Sequence, residues 1–178
     1  FRGLGDVVKS QIKCRTAFGF ALIGKAKTKY AGQAFIMFRG TQYLADWLTN
    51  FNVSASRTKS GQPVHDGFNT TFKSMEAHLK TFMATAMKKK VTVFHCIGHS
   101  LGGALATICG EWIKSTRGIK PYIYTFGSPR VGLYGFSEFC TKEVGGTRIF
   151  RAYHRTDVVP MIPPWPFIHT PCRGQDYY

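Results

Sequence analysis

The chain has 178 residues, the length of one domain and enough to bury a sizeable core. A hydrophobic content of 44% with 15% aromatics excludes a disordered or collagen-like chain. The excess of 24 Lys and Arg over 9 Asp and Glu, a net charge of +15, suits an anionic partner such as a phospholipid surface; nucleic acid is set aside because no groove-reading motif accompanies the charge.

In chain order, RTAFGFALIG (15–24) and QAFIMFRG (33–40) predict two strands joined by a polar connection. The longest strongly apolar run, AFGFALIG (17–24), is far too short to span a bilayer. The N-terminus begins at Phe1 without the charged-then-apolar order of a signal peptide, which suits a processed form or an excised piece. QYLADWLTNF (42–51) predicts a short amphipathic helix, and a polar loop is expected near 54–63. From Phe68, apolar residues recur at Phe72, Met75, Leu79, Phe82, Met83 and Ala86, the stripe of a longer helix. The lysines at 88–90 complement the negative end of that helix.

Val91 to Ile97 is β-branched and aromatic, as in a strand buried on both faces, and Ala104 to Ile113 is small, apolar and free of proline. PYIYTF (121–126) and TRIFRAY (147–153) predict two further strands, separated by GSPRVG and a helix near 134–144. Helix and strand alternate, so the fold class is α/β: a mostly parallel central sheet with helices on both faces, in one domain over 1–178.

Gly98-His99-Ser100-Leu101-Gly102 spans the turn from a strand to a helix. A turn that sharp strains its central residue and needs glycines where strand and helix backbones nearly touch. It projects the Ser100 hydroxyl clear of the sheet, beside the free N–H groups of the following helix. Gly40-Thr41, Ser100 and Asp157 each follow a predicted strand, so they converge on the end of the sheet where functional groups collect. The five cysteines (Cys14, Cys96, Cys109, Cys140, Cys172) are odd in number and lack C-x-x-C spacing, and Cys96 and Cys109 read as small core residues. His95 and His99 flank a strand end with no Glu between them, so no metal site and no cofactor are expected.

Taken together, FRGT, DWLTNFN, VHDGF, GHSLGGALAT, TFGSPRVG, GGTRIFRAYHRTDVVPMIPP and IHT resemble, in order, the class 3 lipases, the fungal-type triacylglycerol lipases of the α/β-hydrolase fold. The resemblance covers roughly residues 33–170. It implies Ser100 as nucleophile, Asp157 as the triad acid, and an oxyanion hole built from Thr41 and the Leu101 N–H. It also implies a lid over 42–50, whose apolar side chains Tyr43, Leu44, Trp47 and Leu48 face lipid. A serine hydroxyl needs a histidine to take its proton and a carboxylate to hold that histidine in the right tautomer.

His169 is the one histidine after Asp157, as the order Ser, Asp, His requires. In the fungal-type lipases the triad histidine stands further along, after another strand and loop, and the IHT histidine matches a separate recurring residue. Either His169 is the base of a shortened, truncated core, or the base lies beyond Tyr178. His99 is expected to point to the opposite face from Ser100, His65 to order the oxyanion region, His95 and His154 to pack or face solvent, and His78 to sit at a helix's solvent edge. Arg130 is expected in a salt bridge under the acid loop, and MIPPWPF (161–167) as a wall of the acyl groove.

The expected function is hydrolysis of acyl esters at a membrane or lipid interface by a secreted enzyme, with triacylglycerol and phospholipid substrates both open. The alternative is a non-catalytic lipase-like module that binds lipid or protein. Nothing in the sequence specifies an inhibitory protein partner.

Overall fold

The computed structural model describes residues 7–13, 18–40 and 54–168. Strands β1 (Val7–Lys13), β2 (Phe18–Gly24) and β3 (Gln33–Phe38) pair with one another antiparallel, in that order. From β3 onward the pairing turns parallel, through β6 (Val93–His99) and β7 (Tyr122–Phe126) to β8 (Ile149–Ala152). The sheet order is β1-β2-β3-β6-β7-β8. Outside it, β4 (Ala55–Arg57) and β5 (Pro63–His65) form a small hairpin within the stretch expected as loop. Three-residue strands of mixed polarity carry no readable alternation.

Parallel neighbours require crossovers, and helices supply them. Helix α1 (Asp66–Lys88) leads into β6, and α2 (Leu101–Arg117) joins β6 to β7. Helix α3 (Tyr134–Phe139) runs on through a π-helical turn (Cys140–Gly145) and a 3-10 turn (Gly146–Arg148) into β8. The expected apolar stripe of α1 is buried at all of its positions, from Phe68 to Ala86. Every residue of α2 from Leu101 to Ile113 is buried, because this helix lies between the sheet and α1. It ends at Gly118, whose φ of 70° provides the left-handed cap that glycine adopts without strain.

Burial in the parallel strands alternates. Ile36, Phe94, Cys96 and Ile123 are buried in the core. The other face carries an aromatic ladder: Phe35 stacks on His95 at 4.6 Å, His95 on Tyr122 at 5.5 Å, and Tyr124 on Phe150 at 5.0 Å. Strand β6 is therefore fully buried on one face and half-buried on the other, not buried on both. Its Val93, His95 and Ile97 face the ladder side. Burial holds the His95 pKa below its ordinary value, and its Nε2 meets Gln33 Oε1 at 3.0 Å.

Among the described residues one carboxylate lies inside. Glu111 is fully buried, and its Oε1 accepts hydrogen bonds from Thr58 Oγ1 (3.0 Å), the Ser60 N–H (2.7 Å) and Ser115 Oγ (3.2 Å). The hairpin loop is thereby fastened to α2. Cys96, Cys109 and Cys140 are buried free thiols, and burial pushes the Cys109 and Cys140 pKa values up. Among the described residues no helix is long and apolar enough to cross a membrane.

Candidate active site

Ser100 joins β6 to α2 with φ 54° and ψ −128°, a conformation that L-residues adopt only under strain. The neighbouring glycines show why the strain is tolerated. A Cβ on Gly98 would strike the carbonyl oxygen of Gly102, and a Cβ on Gly102 would strike that of Phe38. Strand and helix thus approach closer than side chains permit. The Ser100 N–H donates to Phe126 O at 2.8 Å and its carbonyl accepts from the Gly103 N–H at 2.8 Å, which pins the elbow on both sides.

The resulting hydroxyl has three useful properties. Ser100 is 5% exposed, so its surroundings exclude bulk water. Its Oγ has no hydrogen-bond partner among the described residues, so it is not committed to a structural bond. It also stands at the start of α2 without its side chain capping that helix, which leaves the Leu101 N–H for another acceptor.

Asp157 follows β8 in a turn closed by its own N–H, which donates to His154 O at 3.0 Å. Its Oδ1 accepts the Val159 N–H at 3.0 Å, which fixes the carboxylate. Its Oδ2 points toward Gly127, the residue after β7, and lies 2.9 Å from where a Cβ there would stand. The same point is 3.7 Å from His99 Nε2. A Cβ on Gly40 would be 3.2 Å from Ser100 Cβ and 3.6 Å from His99 Nδ1. Gly40, His99, Ser100, Gly127 and Asp157 therefore share one end of the sheet, at the carboxyl ends of β3, β6, β7 and β8.

Buried Arg151 holds the loop after β7 in place, with Nη2 donating to Ser128 O at 2.7 Å. Among the described residues Arg130 does not form the expected salt bridge. Its N–H donates to Ile162 O at 2.7 Å and its Nη1 to Pro163 O at 3.3 Å, so it braces the acid loop through backbone carbonyls.

Thr41, Tyr43, Leu44, Trp47, Leu48 and His169 lie outside the described residues. Among the other histidines, His65 is buried against the rings of Phe68 and Phe167, His78 is exposed on α1, and exposed His154 bonds Thr156 at 2.8 Å. His99 stands beside the site, at the carboxyl end of β6. It continues the alternation of β6, exposed on the side of Val93, His95 and Ile97 while Gly98 and Ser100 are buried, and its ring lies between Gly40 and Gly127. No group of His, Cys, Asp and Glu among the described residues could hold a metal ion.

The family model described as Lipase (class 3) matches residues 35–167. A secreted mono- and diacylglycerol lipase of Fusarium solani is 32% identical over 161 residues, which cover 89% of this chain and 46% of that protein. A chloroplastic phospholipase A(1) of Arabidopsis thaliana is 28% identical over 149 residues, 72% of this chain and 33% of that one. The chain thus spans less than half the length of these curated relatives. Among solved structures, lipase II from Rhizopus niveus superposes with a TM-score of 0.81 at 24% identity, over 93% of this chain and 65% of its own, which shows the α/β-hydrolase fold. The elbow and acid loop described above fall within the matched segment, and this chain belongs to the class 3 lipase family.

Proposed function

We propose that the chain hydrolyses carboxylic ester bonds of lipids through an acyl-enzyme on Ser100. The observation that carries this reading is the Ser100 hydroxyl, buried and uncommitted on a strained elbow at the open start of a helix. In the first step Ser100 Oγ attacks the ester carbonyl carbon while an imidazole takes its proton. The carbonyl oxygen becomes an oxyanion, received by the Leu101 N–H and by Thr41. One such donor is worth about 10²–10³ in rate. The imidazolium then gives the proton to the departing alcohol, and water repeats the sequence to release the fatty acid.

His169 supplies the imidazole in this reading, and Asp157 orients it. Two inter-strand spacings, about 10 Å in all, separate β6 from β8, a gap that an imidazole hydrogen-bonded at both nitrogens bridges. Segment 42–50 acts as a lid that presents Tyr43, Leu44, Trp47 and Leu48 to lipid. The substrate is a glycerolipid at an interface outside the producing cell, and the positive charge of the chain suits phospholipid as well as neutral acylglycerol.

Rates on a soluble short-chain ester and on emulsified and vesicular substrates test this. Ser100→Ala is expected to abolish hydrolysis with the fold intact, and Asp157→Asn and His169→Ala to lower the rate by about 10⁴. Full activity in His169→Ala would transfer the base role to another imidazole and leave Ser100 in place. A chain that binds lipid but hydrolyses none of these esters would be the non-catalytic module instead.

A further inference from the structure

Val158, Met161 and Trp165 stand exposed at 63%, 48% and 83%, all on the loop that follows Asp157, and Phe126 at the end of β7 is exposed at 49%. Large apolar side chains gathered beside a site need a reason, since solvation gives them none. This loop is not frayed. Val159 and Phe167 anchor it in the interior, Ile162 O and Pro163 O accept from Arg130, and the Phe167 N–H donates to Pro164 O at 3.2 Å. Trp165 is therefore held out into solvent by a built base, with the cost of ordering already met.

The backbone chemistry of the same loop points to one kind of partner. Pro160, Pro163, Pro164 and Pro166 have no N–H, and the carbonyls of Ile162, Pro163 and Pro164 are already bonded. Few polar backbone groups would lose water if the loop tip entered an apolar phase, where each unsatisfied group is costly. Tryptophan favours the headgroup level of a bilayer. On the loops leaving β3, β7 and β8, the described residues include Arg39, Arg130 and Arg155 against the single carboxylate of Asp157.

We propose that the Val158–Trp165 loop is a docking surface for a bilayer containing anionic phospholipid. Met161 and Trp165 enter the headgroup region, and Arg155 engages lipid phosphates. Docking there sets the carboxyl end of the sheet, and with it Ser100, against the lipid. The purpose of the surface rests on the lipid-hydrolase reading, but binding itself does not.

The full protein carrying Ser100→Ala measures docking without hydrolysis, by sedimentation with phosphatidylcholine vesicles and with vesicles of equal parts phosphatidylcholine and phosphatidylglycerol. Adding Trp165→Ala is expected to lower the partition coefficient by about tenfold or more. Arg155→Glu should lower it by about fivefold on the anionic vesicles alone. Met87→Ala, which removes an exposed apolar side chain at the far end of α1, should leave binding unchanged. Brominated lipid should quench an emission component that Trp165→Phe removes. Undiminished binding of the Trp165→Ala protein would overturn the proposal, as would a Trp165 shielded from acrylamide before vesicles are added. Vesicle binding that depends on Trp165 in a protein without esterase activity would uphold the docking surface and reject the hydrolase reading.

Discussion

Gly127 leaves room for the carboxylate of Asp157: a Cβ at this φ +53° position would come within 2.9 Å of Asp157 Oδ2. Bare backbone on one side and the Val159 N–H on the other confine the carboxylate to one orientation. Gly127→Ala therefore strains the backbone and displaces Oδ2. The expected outcome is a loss of about 1–3 kcal/mol in stability, together with a fall of about 10² in kcat/KM. Urea unfolding and ester kinetics on one preparation separate the two effects.

A harsher result is expected at Gly102, because the obstacle there is the backbone oxygen of Phe38 and cannot rotate away. Gly102→Ala must push α2 off β3, and every residue of that helix from Leu101 to Ile113 is buried. Circular dichroism and thermal unfolding should show a loss of about 3 kcal/mol or more, or no folded protein. A Gly102→Ala chain of parental stability would mean that helix and strand are further apart than described.

Glu111 should be a stability residue with no part in the chemistry. Glu111→Ala strands the buried Thr58 hydroxyl and the Ser60 N–H, at a cost of about 2–4 kcal/mol. Glu111→Gln keeps an acceptor of the same shape and is expected to cost less. Denaturant midpoints of the two variants check the order.

Half-buried His95 makes stability depend on pH. Burial lowers its folded-state pKa below the ordinary value of 6.5, so the unfolded chain binds the proton more readily. Stability is then complete above that ordinary value and falls as the pH drops through and below it. Urea midpoints measured from neutral pH to about pH 5 should show this slope, and His95→Gln should flatten it.

The elbow was legible because its parts are extreme: a β-branched run, three glycines about a serine, then a long small-apolar run. The α1 stripe was legible for the same reason. Less could be read where local pattern and tertiary role diverge. Strand β1 escaped because VVKSQIK mixes charged and apolar residues as an edge strand does, although it pairs with the strand that follows it directly in the chain. The hairpin β4–β5 escaped because it is held from outside by Glu111, a carboxylate that reads as a solvent-facing residue until α1 is laid over α2.

The central claim is that Ser100 Oγ carries the acyl group, and its most direct measurement is covalent labelling. The full protein is treated with a lipid-like fluorophosphonate, and the adduct is located by peptide mass spectrometry alongside ester hydrolysis. The account predicts a single adduct on the peptide containing Ser100, loss of hydrolysis in step with labelling, and neither in Ser100→Ala. Hydrolysis of lipid esters that persists in Ser100→Ala, or inactivation with the adduct on another residue, would contradict it.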